Sequence, residues 1–168
     1  GTSDIGVGND FRRIGLLRDP TNFGTTTVAT ATTRRQIYAT IFSSVSGTFT
    51  ADEEINQAST GAVGKVVEYD ATNKLLYWYQ TRFPDVGTDA NGNLTAFSGA
   101  NAITGQSSSA SATPNTSSST DVNGVSITSG YSNPELAYDS GDIIYVEERS
   151  PITRASDQTE NVKLIIEF

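Results

Sequence analysis

The chain contains no cysteine and no histidine. Without cysteine there is neither a disulfide framework nor a thiolate zinc site, and the redox compartment leaves no mark on the sequence. Without histidine, the usual general base, the usual metal ligand and every Ser-His or Cys-His nucleophile pair are gone. Methionine is missing even at position 1, and the chain opens on Gly1-Thr2-Ser3. That start reads as a tag remnant on a fragment of a longer protein.

Charge and hydrophobicity are also low, at 18% and 36% of the residues, below the averages for globular domains. Apolar runs such as Ile143 to Val146 are far short of the ~20 residues that span a bilayer. Eleven Lys and Arg stand against nineteen Asp and Glu, a net charge of −8. A chain so acidic is a poor partner for a nucleic-acid backbone or an anionic membrane, and neither is expected.

Thr, Ile and Val are plentiful, Leu is scarce and Gly numbers fifteen in 168 residues. Branched β-carbons suit a pleated surface and disfavour helix. The expected fold class is therefore all-β: packed antiparallel sheets, sandwich-like, with long polar loops and little helix beyond a turn near Pro134 to Ala137. A chain of this length makes a single β domain over 1–168 with one core.

Period-two alternation places the strands. Ile14 to Leu17 is a short apolar strand closed by Asp19-Pro20. Gln36 to Val45 fits helical or strand spacing, and its β-branched content favours strand. Lys65 to Tyr69 and Leu75 to Phe83 flank Asp70 to Lys74 as a hairpin. In the second of these Leu75, Tyr77, Tyr79 and Phe83 oppose Leu76, Trp78, Gln80 and Arg82, so both faces should be covered. Asp142 to Glu148 alternates, and so does Val162 to Phe168. Gln106 to Thr120 (QSSSASATPNTSSST) has no large apolar side chain and is expected as a mobile low-complexity loop.

A faint echo runs through the middle. Phe49 and Ile55 are spaced like Phe97 and Ile103, and Gly61-Ala62 answers Ser109-Ala110. Restricted composition accounts for so few matches. The alternative is a small inserted β-module over 50–105, of a kind found in phage tail and spike proteins.

Three clusters invite a chemical reading. Asp52-Glu53-Glu54 and Glu147-Glu148 could supply the paired carboxylates of a glycosidase, but neighbouring strand residues point to opposite faces, so no catalytic residue and no enzyme are expected. Asp85, Asp89, Asn91 and Asn93, with Gly87, alternate as hard oxygen ligands do in a calcium loop. Ala96 stands where the bidentate Glu should be, and these residue types are ordinary turn formers, so no metal or other cofactor is expected. Tyr77, Trp78, Tyr79 and Phe83 could stack on a sugar, yet Trp78 faces away from Tyr77 and Tyr79, which favours core packing.

The C-terminal stretch is the most specific. Ser140 to Phe168 reads SGDIIYVEERSPITRASDQTENVKLIIEF. The run Ser-Gly-x-x-Ile-Tyr-x-Glu-x-Arg-x-Pro-Ile, then Asp157-Gln158-Thr159-Glu160 and an apolar terminal strand, resembles the C-terminus of the baseplate wedge protein, gene product eight, of T-even-type contractile-tailed bacteriophages. Phe11-Arg12-Arg13-Ile14 followed by Asp19-Pro20 resembles an upstream segment of that family. Glu148 and Ser150 depart from its usual residues, and the middle of the chain is left unassigned.

The resemblance implies a structural virion protein of the tail baseplate, assembled in the host cytoplasm, with other wedge proteins as partners and a homodimer in the full-length protein. As chemistry, Glu147, Arg149, Arg154, Asp157 and Glu160 are either a solvated loop of weak ion pairs or a docking loop whose arginines fork onto a neighbour's carboxylates. The resemblance favours docking, with Glu147, Arg149, Pro151, Ile152, Arg154, Asp157 and Gln158 as the interface. The other function considered is a carbohydrate- or receptor-binding module of a phage tail protein.

Overall fold

The structure is a computed structural model that describes residues 12–30, 35–81, 86–137 and 140–149. Among them there is no helix, and nine strands follow in chain order: β1 (Arg12–Arg18), β2 (Tyr38–Ser46), β3 (Glu54–Gln57), β4 (Ala62–Asp70), β5 (Leu75–Tyr79), β6 (Ile103–Gly105), β7 (Ser111–Pro114), β8 (Tyr131–Ser132) and β9 (Asp142–Arg149). Two compact units divide the chain. One joins Gly1–Asp19 to Gly141–Phe168, and the other is Pro20–Ser140.

The larger unit owes its shape to β2. Residues 38–41 pair with β5, Tyr38 opposite Trp78 and Ile41 opposite Leu75. Residues 42–46 pair on the other edge with β7, across a register shift between Phe42 and Ser44. The order β5-β4-β3-β6-β7-β2 thus returns to β5. Every described pairing is antiparallel, as expected, but the sheet closes into a six-stranded barrel where stacked layers were anticipated. Closure leaves no ring strand with an unpaired edge, and the irregularity in β2 bends it where its partner changes. The strand β8 lies beside Ala39 and Thr40.

Alternation then sorts the side chains. Thr40 and Phe42 of β2, with Leu76 and Trp78 of β5, point into the barrel, where they meet Phe49, Ile55, Val66 and Ile103. Trp78 stacks on Tyr38 at 4.5 Å between ring centroids, and Phe97 lies tilted against it, also at 4.5 Å. Ala39 and Leu75 point outward and are buried under Val125 and Ile127. The β5 strand is covered on both faces, as its apolar pattern required.

The low-complexity stretch is more ordered than its composition suggested. Residues 111–114 are β7, paired with β6 and β2, and Ala110, Ala112 and Pro114 are buried. Small side chains suffice because the larger ones come from the opposite wall. Residues 50–105 likewise are no separate module, since β5 and β6 pair with β2 and β7 outside that range.

The echo is structural after all. The β3–β4 hairpin sets Ile55 opposite Gly64 and Asn56 opposite Val63, and the β6–β7 hairpin sets Ile103 opposite Ala112 and Thr104 opposite Ser111. Each pair is the other moved 48 positions along the chain. Phe49, Ile55, Ala62, Phe97, Ile103 and Ala110 all enter one core cluster. Two similar hairpins meet through β3 and β6, so the same spacing of apolar residues serves both.

Candidate assembly surface

The smaller unit contains a two-stranded ribbon. Its strands β1 and β9 run antiparallel, Ile14 opposite Glu147, Gly15 opposite Val146 and Leu16 opposite Tyr145. The register then shifts so that Leu17 faces Ile143. Ile144 is the extra residue, a bulge that turns the side chains beyond it to the other face. One face thus carries Leu16 and Tyr145, and the other carries Leu17, Ile143 and Val146. Gly15 gives Val146 no cross-strand side chain to cover it.

Little of this apolar surface is buried. Leu16, Leu17, Ile143, Ile144, Tyr145 and Val146 remain 44–68% exposed. Two strands alone are marginal in water, and large apolar side chains exposed on both faces of such a ribbon mark an interaction surface. Two polar contacts are described on it. Arg18 donates through Nη2 to Asp142 Oδ2 at 2.7 Å, but both side chains are well exposed, so the pair contributes about 0–1 kcal/mol. The Tyr145 hydroxyl donates to Glu147 Oε2 at 3.1 Å.

The anticipated interface residues are only partly in view. Glu147 lies on β9 beside the apolar patch, and the Arg149 backbone is opposite Arg12. Pro151, Ile152, Arg154, Asp157 and Gln158 lie outside the described residues, as does the alternating stretch 162–168. Sequence reasoning read Asp142 to Glu148 as an alternating strand and did not single out its exposed apolar residues. The signal was the run Ile143 to Val146, apolar at both parities.

The other candidates resolve into structural roles. Glu53 is buried, and its carboxylate accepts hydrogen bonds from the amides of Thr50, Ser107 and Ser108 and from the Ser108 hydroxyl at 2.7–3.2 Å. Burial pushes its pKa up, but these bonds outweigh it and hold the carboxyl below its ordinary value. It staples the start of β3 to the β6–β7 turn. Asp89 Oδ1 accepts from the amides of Asn91 and Asn93, and Oδ2 accepts from Asn93 Nδ2, which makes this loop a self-capped turn. Asp85 lies outside the described residues. No group of three or more metal-ligating acidic side chains occurs among the described residues.

Trp78 is 2% exposed, and its Nε1 donates to Thr40 Oγ1 at 2.9 Å. It belongs to the core and offers no sugar platform. Among the described residues, a pocket of about 280 Å³ is lined by Gln36, Ile37, Tyr38, Tyr79, Gln80 and Leu94.

Residues 89–168 match the Phage-Gp8 family model, Bacteriophage T4, Gp8. No curated protein and no solved structure matches the chain. The matched stretch is the C-terminal region on which the resemblance rested, and it takes in β6 to β9. It indicates a structural protein of the phage tail baseplate that assembles with other baseplate components. The upstream segment 11–20 is outside the match, yet in the structure β1 is the strand partner of β9.

Proposed function

We propose that this chain is a structural, non-catalytic part of the baseplate wedge, and that the β1–β9 ribbon is the surface through which it docks onto other wedge proteins. One observation carries the reading: six large apolar side chains are exposed on a two-stranded ribbon whose β9 lies in the stretch matching the family. An interface core of aliphatic and aromatic side chains with a charged rim is the usual anatomy of such contacts. Glu147, Arg149 and Arg154 would form that rim, where charge sets partner choice and encounter rate. Self-association of the full-length protein as a homodimer, and assembly in the host cytoplasm before incorporation in the virion, complete the proposal.

The test changes two residues that face each other on the ribbon, Leu17→Ser and Ile143→Ser. The barrel does not use them, so Trp78 fluorescence and thermal unfolding of the larger unit should be unchanged. Wedge assembly should be lost. A double variant that assembles as the parent chain does would remove the ribbon from the interface.

A further inference from the structure

We propose that Asn123, in the turn between Val122 and Val125, is a site of spontaneous deamidation, where the side-chain amide converts without an enzyme to isoaspartate and aspartate and the isoaspartate loosens the turn. The inference does not depend on what the ribbon docks onto.

The sequence contains two Asn-Gly dipeptides, Asn91-Gly92 and Asn123-Gly124. Such pairs favour the reaction because glycine sets no side chain beside its own backbone nitrogen and leaves the backbone free to turn. The glycine nitrogen bonds to the asparagine Cγ and gives up its proton, the Cγ–Nδ2 bond breaks, and ammonia leaves. Water then opens the five-membered imide. Opened at one carbonyl it gives aspartate, and at the other isoaspartate, whose main chain runs through the former side chain.

The fold treats the two pairs differently, although both are exposed. The Gly92 amide donates to the Asp89 carbonyl oxygen at 3.0 Å, so the attacking nitrogen is engaged. The Asp89 carboxylate accepts from the amides of Asn91 and Asn93 on either side, and a negative charge held there opposes loss of a proton from the nitrogen between them. The other turn is closed by Val122 and Val125, which exchange both amide-to-carbonyl bonds at 2.9 Å. Asn123 and Gly124 have φ of +52° and +76°, the two-residue hairpin turn, which leaves the Gly124 nitrogen outside the bonds that close it. A Cβ on either glycine would meet nothing within 4 Å, so engagement of the nitrogen, and not space for the ring, separates the two sites.

Position gives the change a consequence. Val122 packs against the cluster of Ala39, Leu75, Val125 and Ile127 on the outer side of β2 and β5. Isoaspartate adds one carbon to the main chain of a two-residue turn, so Val122 and Val125 lose their paired bonds and that cover loosens. Aspartate keeps the chain length, and Asp-Gly suits the same turn.

The test holds the purified chain at mildly alkaline pH, maps its peptides by mass, and labels isoaspartate with isoaspartyl methyltransferase. Each site's rate is divided by that of a free peptide of its own local sequence. Asn123 should convert ahead of Asn91 and yield isoaspartate, after which the amides of Val122 and Val125 should exchange faster with solvent while Trp78 emission stays unchanged. Asn123→Asp, made directly, should exchange as the fresh parent does. Conversion of Asn91 first, equal relative rates at the two sites, or an Asn123 that keeps its amide while its free peptide converts would overturn the site. Exchange at Val122 and Val125 that is the same in the isoaspartate form and in Asn123→Asp would overturn the loosening.

Discussion

Gly105 lies directly beneath the Glu53 carboxylate. A Cβ on Gly105 would come within 2.6 Å of Glu53 Oε2 and 2.6 Å of Ser108 Oγ, closer than atoms approach. The glycine is there to let a buried carboxylate reach the amides of a turn. Gly105→Ala should break that approach, with a loss of roughly 1.5–3 kcal/mol, the range for a hydrogen bond to a charged group. Chemical denaturation followed by Trp78 emission measures it, and unchanged stability would show that the turn shifts freely.

Acid should act through the same group. Glu53 has a folded-state pKa below its ordinary value, so its contribution is complete above the unfolded-state pKa of about 4.3. It is lost as pH falls through the depressed folded-state value. The melting temperature of the parent chain should therefore decline on acidification below that range. Glu53→Gln should start lower at neutral pH and decline less; parallel curves would assign the acid sensitivity to other carboxylates.

Trp78 and Thr40 test the barrel interior. Thr40→Val keeps the volume but leaves the buried Trp78 Nε1 without its acceptor, which should cost about 1–3 kcal/mol. Trp78 is the single tryptophan, so its emission should be that of a buried indole in the parent and shift to the red on unfolding. Similar stability of parent and variant would mean that the indole finds another acceptor.

Gly130 combines two constraints. Its φ is +85°, and a Cβ there would stand 2.7 Å from the Asn115 carbonyl oxygen. Gly130→Ala should lose at least the roughly 1–2 kcal/mol of a left-handed non-glycine residue. Thermal unfolding by circular dichroism reads this directly.

The protease map should follow β7 more than composition. Residues 111–114 are paired on both edges, so early nicks should spare them. Cleavage within 111–114 before the barrel unfolds would show that these pairings open readily.

Much was legible in the sequence because it depends on neighbouring residues alone. Missing cysteine and histidine limited the chemistry, β-branched runs gave the all-β class, and Asp70 to Lys74 announced the hairpin whose turn Asp70 caps through Thr72 and Asn73. The irregular C-terminal run pointed to the family that residues 89–168 match. What only the tertiary structure decided are relations between distant residues. Period two says that β2 has two faces, but not that its halves use different edges, and that division closes the barrel. Ser107 and Ser108 look like linker until Glu53, more than fifty residues away, accepts their amides. Ile143 to Val146 are a short apolar run in the sequence. They are surface because β1 is their only strand neighbour among the described residues, and burial is fixed by the number of neighbours a strand has, which its own residues do not encode.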